Sequence, residues 1–176
     1  VLCIGGRNRT KIFSEVFLLT WDVKTQEVVT RNLPSLPFPL AHFSASIIDS
    51  KVYIAGGESS GSTTSHFLVL DLSQTANDQS EWQILPSLPG KSRAFSILQA
   101  QSNGVVNGLY LFSGRTYDGK GNIEFLKDGY FFSPIENKWQ ALESNSIYPV
   151  MAGNSFEAGL EFIFLPSGSN GQESSK

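Results

Sequence analysis

Four side chains could do anion-binding or proton-transfer chemistry, and each stands beside a turn. Arg93 lies in PGKSRAF, just before a run of small and aromatic residues, and His42 in PLAHFSA holds nearly the same slot earlier in the chain. Glu58 and Arg115 each directly follow a glycine turn, Gly56–Gly57 and Ser113–Gly114. A turn that only glycine makes freely is a fixed corner, and it aims the side chain that follows. The planar fork of Arg can grip a carboxylate through two hydrogen bonds, and His can pass a proton near neutral pH. Each residue also has a structural role open to it: Arg93 as a brace between loops, His42 as a packed and hydrogen-bonded side chain, Glu58 and Arg115 as solvated loop charges.

Around these four the chemistry thins out. The loop Ser59–Ser65 (SSGSTTS) offers hydroxyls to a sugar or is simply a flexible turn, and Thr116–Asn122 (TYDGKGN) brings Tyr117 for stacking and Asp118 as an acceptor. Gly-rich loops here make no phosphate site, because no helix follows to present its first amides. The sequence contains no Ser-His-Asp order, no CxxC and no HExxH. No catalytic residue, metal site or cofactor is read from it. A lone Cys3, in the apolar run VLCI, leaves no partner for an internal disulfide and suits a small buried hydrophobe.

What must position these residues is a repeat. LPSLP occurs at Leu33–Pro37 and again at Leu85–Pro89. Before each copy comes an apolar run ending in Asp, FLLTWD at Phe17–Asp22 and FLVLD at Phe67–Asp71; after each comes a run closing on a Gly turn, VYIAGG and LYLFSG. VLCIGG at the start is a further copy of that closing signal, and FIFLPSG at Phe162–Gly168 a degraded one. The closing glycines Gly6, Gly57, Gly114 and Gly168 stand 51, 57 and 54 residues apart. Trp82 and Trp139 are 57 apart, each opening a short WQ-aliphatic strand, and Val28 fills that slot in the first repeat. The repeats are therefore approximately 7–57, 58–114 and 115–168, with a polar tail at 169–176. Each predicts four short strands in about 50 residues, a twisted sheet that cannot bury both faces alone and must stack on copies of itself.

Composition agrees and sets exclusions. Thirteen Lys and Arg against sixteen Asp and Glu leave a formal charge of −3, with a pI near 5.4, so no electrostatic footprint for nucleic acid is present. Aromatics reach 12% and charged residues only 16%, a balance that suits pleated sheets. No run approaches the ~18 apolar residues of a membrane span. No helical periodicity is sustained for three turns. The fold class expected is all-β.

Gly-Gly, an aromatic strand ending in Asp, a Trp strand, then Pro and a small-residue strand resemble the kelch repeat from Gly6 to Gly168. The order VYIAGGESSGSTTSHFLVLDL, EWQILPSLPGKSRAF, LYLFSGRTYDGKGNIEFLKDGYFFSPIENKWQAL is similar to the cyclically permuted branch of the sialic acid mutarotase (N-acetylneuraminate epimerase) family. That resemblance implies a kelch-type β-propeller of six blades, of which this chain holds about three four-stranded ones. The expectation is a partial chain or half a ring, with the remaining blades or a second copy needed to close it. It also implies a sugar-acid ligand at the central channel mouth, where anomers interconvert through the open-chain ketone with a tuned carboxylate or His moving the protons. The substrate carboxylate asks for Arg, and Arg93 matches the Arg that kelch repeats place facing the funnel. The family's acid/base Glu and its Arg align beyond Lys176, so neither is assigned to a residue here, and the chain alone is expected to lack that pair. A non-catalytic kelch scaffold for protein or glycan binding is the alternative. The family further implies a periplasmic or secreted protein; no signal-peptide pattern is visible in the sequence.

Overall fold

β-Branched and aromatic residues in runs of five to seven, cut by Gly and Asp turns, make short antiparallel strands throughout. A computed structural model describes residues 1–77, 80–143, 151–159, 162–166, 168–170 and 174–175. The first sheet pairs β1 (Leu2–Ile4), β2 (Val16–Asp22) and β3 (Glu27–Leu33) in chain order. The second is four-stranded and antiparallel: β4 (Ser44–Ile48) and β5 (Lys51–Ala55) lead through the hairpin β6 (Glu58–Ser59) and β7 (Ser62–Thr63) to β8 (Phe67–Asp71) and β9 (Gln83–Ile84). The third repeats this plan with β10 (Ile97–Ser102), β11 (Asn107–Phe112), the hairpin β12 (Arg115–Tyr117) and β13 (Ile123–Phe125), then β14 (Gly129–Ser133) and β15 (Lys138–Ala141). Beyond it lie the pairs β16 (Phe156–Ala158) with β17 (Phe162–Phe164) and β18 (Gly168–Ser169) with β19 (Ser174–Ser175). Residues 171–173 and 176 of the polar tail lie outside the described residues. Among the described residues Leu72–Asn77, a 3-10 turn, is the helical segment, and none of their helices is long and apolar enough to cross a membrane.

Two seams hold the core. Alternate side chains of a strand face opposite ways, and the second sheet uses both faces. Val52, Ile54, Leu68 and Leu70 pack with Val16, Leu33, Leu36 and Leu40 of the first sheet and its link. Tyr53, Ala55, Phe67 and Val69 pack with Leu98, Leu109, Leu111 and Phe132 of the third. Burial on both faces explains why VYIA and FLVL are unbroken apolar runs. Stacked sheets with their first strands β4 and β10 side by side, Ser44 and Ser96 joined hydroxyl to hydroxyl at 2.9 Å, are successive blades of a kelch-type β-propeller.

Each seam is also pinned by an indole. Trp82 Nε1 donates to the Pro34 carbonyl at 2.9 Å, and Trp139 Nε1 to the Pro86 carbonyl at 3.2 Å. Pro34 and Pro86 are the first prolines of the two LPSLP copies, so the pentapeptide is the acceptor that the next blade's Trp needs. Val28 stands opposite Trp21 as Trp139 stands opposite Phe132; it has no indole to donate and is exposed. Replacing Trp82 by Phe removes the donor and leaves a part-buried carbonyl unpaired. A loss of about 1 kcal/mol is expected by denaturant titration, with the slope of the unfolding transition unchanged.

Candidate functional site

The links entering β4 and β10 and the hairpins leaving β5 and β11 meet at one end of the blades. The β4–β5 pairing continues past a bulge to a bridge between Ala41 and Glu58, and the β10–β11 pairing to one between Ala94 and Arg115. His42 and Phe95 occupy the bulges in left-handed backbone, at φ 57° and 56°, and Ala152 repeats the conformation at 54°. The Phe95 amide donates to the His42 carbonyl at 2.8 Å and the Ala152 amide to the Phe95 carbonyl at 3.0 Å. The rim is thus a chain of backbone bonds across the seams, with one outward side chain per hairpin.

Those side chains converge on Glu58. Its side chain is only 7% exposed. Arg115 Nη2 donates to Oε1 at 3.1 Å, and the Tyr117 hydroxyl reaches the same oxygen at 3.4 Å. On the other oxygen, Arg7 Nη1 lies at 4.0 Å and His42 Nε2 at 3.9 Å. Arg115 lies over the Phe95 ring, 4.5 Å from its centroid, and His42 stacks on the same ring at 4.3 Å. One carboxylate therefore sits among two guanidinium groups and an imidazole. That surplus of positive charge at a partly open surface suits an incoming anion.

His42 connects the cluster to a groove. Together with Ser44, Phe95, Ser96, Ala152 and Asn154 it lines a cleft of about 360 Å³ along the first strands. Burial pulls its pKa below the ordinary 6.5; Glu58 works against this, and Arg7 and Arg115 work with it. The imidazole is therefore mostly neutral at pH 7 and able to accept a proton.

Of the four expected residues, Glu58, Arg115 and His42 are brought together. Arg93 is not among them. It is fully buried and its fork closes on Asp128, with Nη1 to Oδ1 and Nη2 to Oδ2 both at 2.8 Å. This is the bracing role. Nη1 also donates to the Ser113 carbonyl at 3.1 Å, and Tyr130 completes the group by donating to Asp128 at 2.9 Å. Burial pushes the Asp128 carboxyl up, but the Arg93 hydrogen bonds and charge, with the Tyr130 hydroxyl, outweigh it and hold the group below the usual range.

The other loop residues also resolve. Asp118 accepts from the amides of Lys120 and Asn122, both at 2.8 Å, and so builds its own turn. Thr63 of the hydroxyl-rich loop bonds Ser92 and Thr116 at 2.8 and 3.1 Å, tying neighbouring loops together. Arg7 was missed, although it follows Gly5–Gly6 as Glu58 follows Gly56–Gly57, one repeat of 51 residues earlier. Asp128 carried no such signal. Among the described residues no group of His, Cys, Asp and Glu could hold a metal ion.

Comparison with known proteins bears on the fold and the family. The solved structure of YjhT superposes with a TM-score of 0.61 at 23% identity, over 77% of this chain and 36% of that one, which bears on the fold. N-acetylneuraminate epimerase of Haemophilus influenzae is 26% identical over 140 residues, 80% of this chain and 34% of the relative. A kelch domain-containing protein of Vibrio cholerae is 36% identical over 115 residues, 63% of this chain and 28% of that protein. The chain thus spans about a third of the length of the curated relatives it matches. The model of the N-acetylneuraminate epimerase family matches residues 33–173, a stretch that includes Glu58, Arg115, His42 and the whole of the second seam, and the chain belongs to that family.

Proposed function

We propose that this chain contributes to a sugar-acid site that interconverts the anomers of a sialic acid such as N-acetylneuraminate. The observation that carries the reading is the rim cluster, a buried Glu58 between Arg115 and Arg7 with a neutral His42 turned toward the groove. Arg7 and Arg115 hold the substrate carboxylate, Arg115 being steadied by the Phe95 and Tyr117 rings. His42 Nε2 takes the proton of the anomeric hydroxyl as the ring C–O bond breaks, and the ring oxygen takes a proton from water in the groove. The open ketone turns about its C–C bond and recloses on the other face, the ring hydroxyl giving its proton back to the hydroxide left in the groove and the imidazolium returning its own to the new anomeric oxygen. Glu58 stabilises the transient imidazolium across 3.9 Å. No bond to the protein forms and no cofactor is needed.

The test is an NMR exchange assay on freshly released α-N-acetylneuraminate with full-length protein. Anomer equilibration faster than the spontaneous rate is expected. Binding of the sugar acid without acceleration would assign the site to recognition alone, and absence of binding would end the sugar-acid reading. Family membership supports a periplasmic or secreted location, which osmotic-shock fractionation checks.

A further inference from the structure

We propose that the buried Arg93–Asp128 pair is a positioning device for the rim cluster, acting through the three-residue segment Arg93–Phe95. Each residue of that segment touches a different member of the cluster. The Arg93 carbonyl accepts the Gly57 amide at 2.8 Å, immediately before Glu58. Ala94 exchanges two backbone hydrogen bonds with Arg115, both at 2.9 Å. The Phe95 amide bonds the His42 carbonyl, and its ring carries His42 and Arg115. The segment is packed without slack, since a Cβ on Gly56 would come within 2.3 Å of the Arg93 carbonyl oxygen.

The preceding blade shows that the ion pair is no requirement of the repeat. Leu40 there does the backbone work of Arg93, accepting the Gly6 amide at 2.9 Å. The register Ala55↔Phe67 and Phe112↔Gly129 makes His66 the counterpart of Asp128, and His66 stacks on Phe38. That blade closes the same corner with an apolar side chain. A fully buried guanidinium whose Nε finds no hydrogen-bond partner is a demanding substitute for Leu, and it occurs where three cluster residues must be fixed at once. A two-point fork between planar groups also fixes rotation as well as distance.

The inference rests on reading the cluster as the proton-transferring site, so its test has one readout that does not. In full-length Asp128→Asn, the His42 imidazole, followed by NMR, is expected to titrate nearer its ordinary 6.5, because a loosened Phe95 no longer covers it. The kcat/KM for anomer exchange is expected to fall about ten- to a hundredfold, the scale of a misplacement near 1 Å. Should that variant not accumulate as folded protein, Arg93→Lys keeps the charge, loses the fork and is judged by the same two measurements. A folded variant with the His42 midpoint of the wild type overturns the positioning role. If wild-type protein shows no exchange activity, the catalytic reading fails and the midpoint still decides positioning.

Discussion

In full-length protein, His42→Asn is expected to slow catalysed anomer exchange by about 10²–10⁴-fold at pH 7, the range that a positioned general acid–base supplies. Asn is the suitable replacement because position 42 is left-handed, at φ 57°, and Asn tolerates that conformation better than most residues. The pH dependence gives the sharper test. Burial, the leading influence, lowers the His42 pKa from 6.5, and the working base is the neutral imidazole. Exchange in the wild type should therefore hold level near pH 7 and decline on acidification below 6.5, as the ring takes up a proton. The variant should lack that acidic limb. A wild-type profile that stays flat into the acid range, or a variant that keeps the limb, removes His42 from proton transfer.

The largest expected loss of stability comes from Phe67→Ala. Phe67 is fully buried in the second seam. It meets Phe132 edge-on at 4.8 Å and Trp139 at 4.8 Å, and stacks near Tyr53 at 6.0 Å. Removing it deletes the ring that these three share and opens a cavity between two sheets whose backbones are fixed by their own hydrogen bonds, so little collapse can follow. A destabilisation of about 3–5 kcal/mol is expected, read as a lower denaturation midpoint at unchanged slope. Trp139 fluorescence should report the same transition. A loss below about 1 kcal/mol would mean that the third blade shifts to fill the space, and that the seam is softer than its packing implies.

The blades were legible because their physics is periodic. LPSLP, the closing glycines and the paired Trp residues mark positions where the second and third blades need the same thing: an acceptor for an indole, a corner, a wedge between sheets. The cluster was legible in part for the same reason. Glu58 and Arg115 stand directly after corners, and Arg7 could have been found by extending that rule one repeat back. Arg93 could not be placed from sequence. Its fate depends on Asp128, 35 residues away, and nothing local distinguishes a guanidinium turned inward to a buried carboxylate from one turned outward to a ligand. The left-handed backbone at His42 was equally silent, since His, Phe and Ala occupy equivalent bulges and share no residue type that announces a positive φ.

The seams give the rim a mechanical meaning. Arg7, Glu58 and Arg115 follow the corners of three successive blades, and the side chains meet across seams rather than within a sheet. An anion held by both guanidinium groups would work like a hoop on a barrel, tying staves that are otherwise joined by apolar contact and single hydrogen bonds. Occupancy and cohesion would then be reciprocal. Ligand would slow the parting of the blades, and any strain that spreads them would weaken the grip on ligand by the same free energy.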